Sequence, residues 1–165
     1  MASIGWVLVF FLSQLLTLLS TSSANHADGG NQTHLPVPFF CHPDQAKALL
    51  QLKKSFFVGS TPRLLSWQDG SDCCLWEGVG CDASSGRVTV LDLNNCGLSS
   101  PSLNSAVFSL TSLQFLDLSM NNFGGDSKLK SEIPSTGFER LTLLTHLNLS
   151  NSGFFGQIPI GISKL

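Results

Sequence analysis

From Val88 onward the chain repeats itself. Leu113, Leu116, Leu118, Asn121 and Phe123 occupy every fixed position of the frame L-x-x-L-x-L-x-x-N-x-L. Val88, Leu91, Leu93, Cys96 and Leu98 fill the same frame, and so do Leu144, Leu147, Leu149, Ser152 and Phe154. Frames starting at Val88, Leu113 and Leu144 give periods of 25 and 31 residues, which predicts a stacked array. The Leu-x-Leu alternation is a short strand with one buried face. Such strands stack in parallel, each unit burying its apolar residues against its neighbours. An asparagine in the turn after the strand bonds backbone groups of adjacent turns. That column reads Cys96, Asn121, Ser152, so two of three positions are expected to be weakened, with Cys96 filling its place as a thiol.

The third frame runs on through Gly156, Ile158, Pro159, Ile162 and Leu165. Against it, the second repeat carries extra residues between Gly125 and Phe138, a charged stretch over 126–137 expected to be a surface spacer. The final frame meets no following repeat or cap before Leu165. Its apolar residues and its unpaired strand edge are therefore expected to favour self-association.

Residues 1–24 hold no charged side chain. Trp6 to Leu19 is apolar apart from Ser13, Gln14 and Thr17, and Ser22-Ser23-Ala24 offers a small-x-small cleavage pattern. The stretch is short for a membrane span, so it is read as a cleaved secretory signal. Residues 25–40, with Gly29-Gly30, Pro36 and Pro38, read as a flexible lead-in. Two glycosylation sequons are present, at Asn31 and Asn148.

Export makes disulfides the first reading of the five cysteines. No C-x-x-C pair supports zinc. A bridge between adjacent Cys73 and Cys74 would strain the intervening peptide. Two arrangements remain open on spacing alone: Cys41–Cys73 with Cys74–Cys81, or Cys41–Cys74 with Cys73–Cys81. Either closes one long and one short loop, worth roughly 3–4 and 2–3 kcal/mol by loop-closure entropy. Cys96 is left as a thiol outside both bridges.

A helix is expected from about Pro43 to Phe57. Pro43 suits a first helical position, Asp44 the positive end, and Gly59 and Pro62 end it. Its apolar stripe would be Ala46, Leu49, Leu50, Phe56 and Phe57, with Lys53 adding an aliphatic stem. The cap so defined spans 41–86 and the repeats 87–165.

A net charge of −2 with 12% charged residues excludes a strongly basic nucleic-acid footprint. The outward positions of the strands and turns are Val90, Asp92, Asn94 and Asn95, then Phe115, Asp117, Ser119 and Met120, then His146, Asn148, Ser150 and Asn151. Asp117, His146 and Ser150 share this surface, but a shallow open face without an oxyanion site does not suit a hydrolase. Gly124-Gly125 lacks the lysine and helix of a phosphate loop. His26, His34 and His42 are scattered. No enzyme activity, cofactor or metal is expected. The partner-binding face is read as Asp92, Asn94, Phe115, Asp117, Ser119, Met120, His146, Asn148 and Ser150.

The run Cys-Cys-x-Trp-x-Gly-Val-x-Cys over Cys73 to Cys81, behind the Asp44–Lys54 helix, resembles the plant leucine-rich-repeat N-terminal cap. The ending over Phe154–Pro159 is similar to the plant-specific repeat subclass. With Asn104 to Leu110 and Leu144 to Ser150, the whole of 41–165 resembles plant receptor-like proteins of the disease-resistance class. That resemblance implies an α/β solenoid, a right-handed leucine-rich-repeat superhelix with a helical, disulfide-stapled cap, paired Cys41–Cys73 and Cys74–Cys81. It also implies the N-terminal part of a plasma-membrane receptor that meets a protein or peptide ligand and a co-receptor. A secreted inhibitor of the polygalacturonase-inhibiting type, or a receptor-kinase ectodomain, shares these motifs.

Overall fold

The computed structural model describes residues 41–58, 62–124 and 131–165. The signal segment, the lead-in, Asn31 and the expected stop at Gly59 all lie outside them.

Helix α1, Pro43–Ser55, starts with Pro43 in its first turn, beside Asp44, and ends with Lys53 and Lys54 in its last. That charge order matches the helix dipole. Its buried face carries Gln45, Ala48, Leu49 and Leu52, which corrects the expected stripe: Ala46 and Leu50 are only half-buried, on the flank. Gln45 is admitted to the core because its Oε1 accepts the backbone N–H of Val88, at 3.4 Å. Lys53 lies half-buried and donates from Nζ to the carbonyl of Trp67 at 2.7 Å. The helix stops two residues before Phe57, because Phe56 turns to extended backbone and Phe57–Val58 forms strand β1. Alternation then replaces the helical period: Phe56 stays buried and Phe57 faces solvent, 70% exposed.

Two bridges staple the cap. Cys41–Cys73 ties the start of α1 to the short 3-10 segment Cys73–Leu75, and Cys74–Cys81 ties that segment to strand β2, Val79–Cys81. The single oxygen Oδ1 of Asp72 accepts both the Cys41 and the Cys74 backbone N–H, each at 3.0 Å. Trp67 and Trp76 stack at 5.5 Å in the same core. Trp67 donates its indole N–H to the Glu77 carbonyl, and Trp76 donates to Ser71 Oγ. Cys41, Cys73 and Cys74 bring their sulfurs together, but all three are spent in the bridges.

The repeats begin at strand β3, Val88–Asp92, which pairs antiparallel with β2. Strands β4 (Leu98–Ser99), β5 (Phe115–Asp117), β6 (Ser131–Glu132), β7 (His146–Asn148) and β8 (Phe154–Phe155) follow. The main sheet runs β2-β3-β5-β7, parallel beyond the cap strand. Leu91, Leu116 and Leu147 stand in one register beneath it. Two further two-stranded sheets complete the pairing: β1 runs antiparallel to β4, from which Ser99 also bridges to Asn122, and β6 runs parallel to β8. The returning segments are 3-10 turns at Ser105–Ser109, Phe138–Arg140 and Ile162–Lys164. Between sheet and turns lies a continuous core running from Leu49 through Leu116 and Phe123 to Phe138 and Leu144.

The stretch over 126–137 is not a plain spacer along its described part. Ser131–Glu132 pairs parallel with Phe154–Phe155, and Ile133 donates its N–H to the Phe155 carbonyl at 3.2 Å. The residue that follows the stretch, Phe138, packs inward and meets Phe108 edge-on at 5.0 Å. Residues 125–130 lie outside the described residues.

Candidate recognition face

Parallel pairing in register turns sequence columns into spatial columns. Val90, Phe115 and His146 are direct neighbours across the sheet, and so are Asp92, Asp117 and Asn148. Val90 is 37% exposed, Phe115 is half-buried and His146 is exposed. The Phe115 ring and the His146 imidazole lie 5.9 Å apart in a tilted arrangement. The three residues form a shallow ridge of apolar and aromatic surface along the outer side of the sheet.

The polar column beside it is organised by hydrogen bonds. Asp117 Oδ1 accepts the Ser119 backbone N–H at 2.8 Å and the Ser119 hydroxyl at 2.5 Å, while Oδ2 accepts Asn148 Nδ2 at 2.9 Å. Burial pushes the Asp117 carboxyl up, but the Ser119 hydroxyl and N–H and the Asn148 amide outweigh it and leave it below its ordinary value. One rung on, Asn148 Oδ1 repeats the motif, accepting the Ser150 N–H and hydroxyl.

Ser119 does not belong to the accessible face, which corrects its place among the expected contact residues. It is only 2% exposed. Its hydroxyl oxygen takes Nδ2 of Asn94 at 2.6 Å and Nδ2 of Asn148 at 3.1 Å, in addition to its own bond to Asp117. It therefore knits three rungs together. The other eight expected residues remain accessible: Asp92, Asn94, Phe115 and Asp117 are half-buried, and Met120, His146, Asn148 and Ser150 are exposed.

Asp117, His146 and Ser150 do not assemble into a hydrolytic relay. His146 Nδ1 pairs with Thr145 Oγ1 and Ser150 donates to Asn148, so no proton path links the three.

A backbone regularity that sequence reading missed sits at the rim. Asn95, Met120 and Asn151, one per repeat, all adopt left-handed backbone with φ of 49°, 58° and 49°. Asparagine tolerates that region and methionine does not, so Met120 is held there at a cost, 51% exposed. The signal was readable as a column of Asn, Met, Asn after each strand. Two concavities were also missed. One, of about 540 Å³, lies on the cap flank between Ala46, Leu50, Lys47, Lys54 and Asp69. The other, of about 570 Å³, lies among Ile133, Phe155, Ile158 and Pro159 at the last repeat. Ala46 and Leu50 line the first because they lie on the helix flank and not in the core.

A stapled helical cap, a parallel ladder in strict register and a polar turn column define a leucine-rich-repeat protein. Residues 42–82 match the leucine rich repeat N-terminal domain, and residues 112–140 and 143–165 match the Leucine Rich Repeat. The chain belongs to the plant leucine-rich-repeat receptor-like proteins. It is 38% identical to Receptor-like protein 6 of Arabidopsis thaliana over 94% of its own length, but spans only 16% of that relative. Among solved structures, the BIR2 ectodomain of Arabidopsis thaliana superposes with a TM-score of 0.62 at 30% identity, covering 75% of this chain and 62% of that one. The Arabidopsis receptor kinase HAESA, solved with the peptide hormone IDA and the co-receptor SERK1, superposes with a TM-score of 0.59 at 31% identity, covering 72% and 19%. The matched structure of BIR2 is an ectodomain, and this chain is a leucine-rich-repeat module similar to it. No helix among the described residues is long and apolar enough to cross a membrane.

Proposed function

We propose that residues 41–165 are the N-terminal, extracellular part of a plant cell-surface immune receptor, delivered by the signal segment 1–24 and the lead-in 25–40. The sheet face would meet a protein or peptide ligand, with a co-receptor engaged by the same ectodomain. Attachment to the plasma membrane would come from sequence beyond this chain. The observation that carries the reading is the in-register column Val90–Phe115–His146 with exposed Met120 at its rim. Apolar and aromatic side chains, one of them strained, are displayed where a merely solvated strand face would carry polar groups. The likeness to HAESA, whose structure contains a peptide hormone and a co-receptor, supports the ligand class. Glycans at Asn31 and Asn148 belong to the same extracellular reading, the second at the expense of one of the two hydrogen bonds that Asn148 Nδ2 donates.

The test is functional. In leaves expressing the full-length receptor, microbial culture filtrates are screened for an oxidative burst that depends on it. A triple variant, Phe115→Ala, Met120→Ala and His146→Ala, should reach the cell surface at the normal level and lose that response. A fully responsive triple variant would remove the face from ligand recognition.

A further inference from the structure

The geometry points to the rung beside the cap as the part of this face that selects ligand chemistry: a cationic peptide side chain on Asp92, flanked by an apolar side chain on Val90 and Phe115. This rests on the recognition-face reading above. The two stacked acids of the polar column are not equivalent. Asp117 has three donors, spread over both oxygens. Asp92 accepts one, the Asn94 backbone N–H, through Oδ1 at 3.1 Å, and among the described residues nothing donates to Oδ2.

The difference has a local cause. Two residues after the acid, the second rung has a serine whose hydroxyl folds back on the carboxylate. The first rung has Asn94, whose amide reaches across to Ser119 Oγ at 2.6 Å instead. On the other side, the cap strand covers neither group. Gly80 is the ladder partner of Val90, and Gly78 contributes only its carbonyl, which accepts the Asp92 N–H at 2.8 Å. Two glycines thus leave the Asp92 carboxylate and the Val90 side chain open next to each other, with the Phe115 ring one strand away.

Charge completes the complementarity. Strands β2, β3, β5 and β7 carry no lysine or arginine, so an approaching cation meets no permanent like charge on the sheet, and an anion meets no permanent positive one. A half-exposed ion pair adds little affinity. The apolar contact therefore supplies binding, and Asp92 decides between cationic and neutral neighbours.

Three blocked dipeptides test this against the ¹⁵N-labelled secreted chain: N-acetyl-phenylalanyl-arginine amide and its citrulline and glutamate counterparts. The arginine peptide should perturb the amides of Val90, Asp92 and Phe115 and bind about threefold more tightly than the citrulline peptide, with glutamate weakest. The preference should vanish in Asp92→Asn and at high salt, and persist in Asp69→Asn, which removes an exposed acid of the cap. Equal binding of all three peptides at these amides would overturn the cation assignment and leave the recognition face standing. Shifts absent from the sheet with every peptide would overturn both.

Discussion

Asn121 Oδ1 accepts the backbone N–H of Cys96 at 3.2 Å, reaching from one turn of the solenoid into the one before it. The same side chain takes the Leu98 N–H at 3.0 Å, and its Nδ2 donates to the carbonyls of Leu93, Leu118 and Ser119. Five backbone groups of two turns depend on one amide. Asn121→Ala should strand several of them in the core and destabilise the chain by about 3–5 kcal/mol. Urea unfolding followed by tryptophan fluorescence measures the loss, and a loss under about 1 kcal/mol would show that water replaces the amide.

Met120 occupies the left-handed position that Asn95 and Asn151 take in the flanking repeats. Met120→Asn should therefore stabilise the chain by about 0.5–1 kcal/mol. The same substitution removes a thioether from the recognition face, so greater stability should come with weaker ligand response. An unchanged or lower unfolding midpoint would show that the strain is not there.

Gly137 separates two costs of replacing a glycine. Its φ is 113°, and a Cβ there would lie 2.3 Å from Phe108 Cδ2. Gly70 also has positive φ, 79°, but a Cβ would meet nothing within 4 Å. Gly70→Ala should cost about 1 kcal/mol of backbone strain. Gly137→Ala should cost clearly more, because the Phe108–Phe138 contact must open as well. Equal midpoints for the two variants would argue that Phe108 moves aside freely.

Acid should loosen the cap hairpin through Asp82. The hydroxyls and backbone N–H groups of Ser84 and Ser85 hold its carboxyl at about 2, below the ordinary 3.8. A depressed folded-state value means that the contribution is complete above the ordinary value and fades as pH falls from 3.8 to about 2. Asp82→Asn should flatten the pH dependence of the urea midpoint in that window and change little of its slope near neutrality. An identical acid limb in the variant would assign the effect elsewhere.

Cys96 is fully buried and outside both bridges. A thiol reagent should label it only after unfolding, while non-reducing peptide maps show Cys41 with Cys73 and Cys74 with Cys81. Rapid labelling of Cys96 in the folded chain would mean that the core between the first two repeats opens locally.

What the linear sequence determined by itself was periodicity: which residues point into the array, and that the strands stack in parallel. Local repetition is enough for that, because each unit makes the same contacts as its neighbour. Apolar spacing extends the stripe of α1 to Phe56 and Phe57, but the helix ends at Ser55 and Phe57–Val58 pairs with Leu98–Ser99, some forty residues away. The choice between two disulfide arrangements could not come from spacing, since adjacent Cys73 and Cys74 offer loops of nearly equal length; the 3-10 turn at Asp72 decides which sulfur faces Cys41. Ser119 looked outward by alternation, yet Asn94 and Asn148 reach over it from both sides and bury it. In each case the deciding group lies on another repeat or another element. Only the register of the assembled sheet brings it close enough for a hydrogen bond or a van der Waals contact to outweigh local preference.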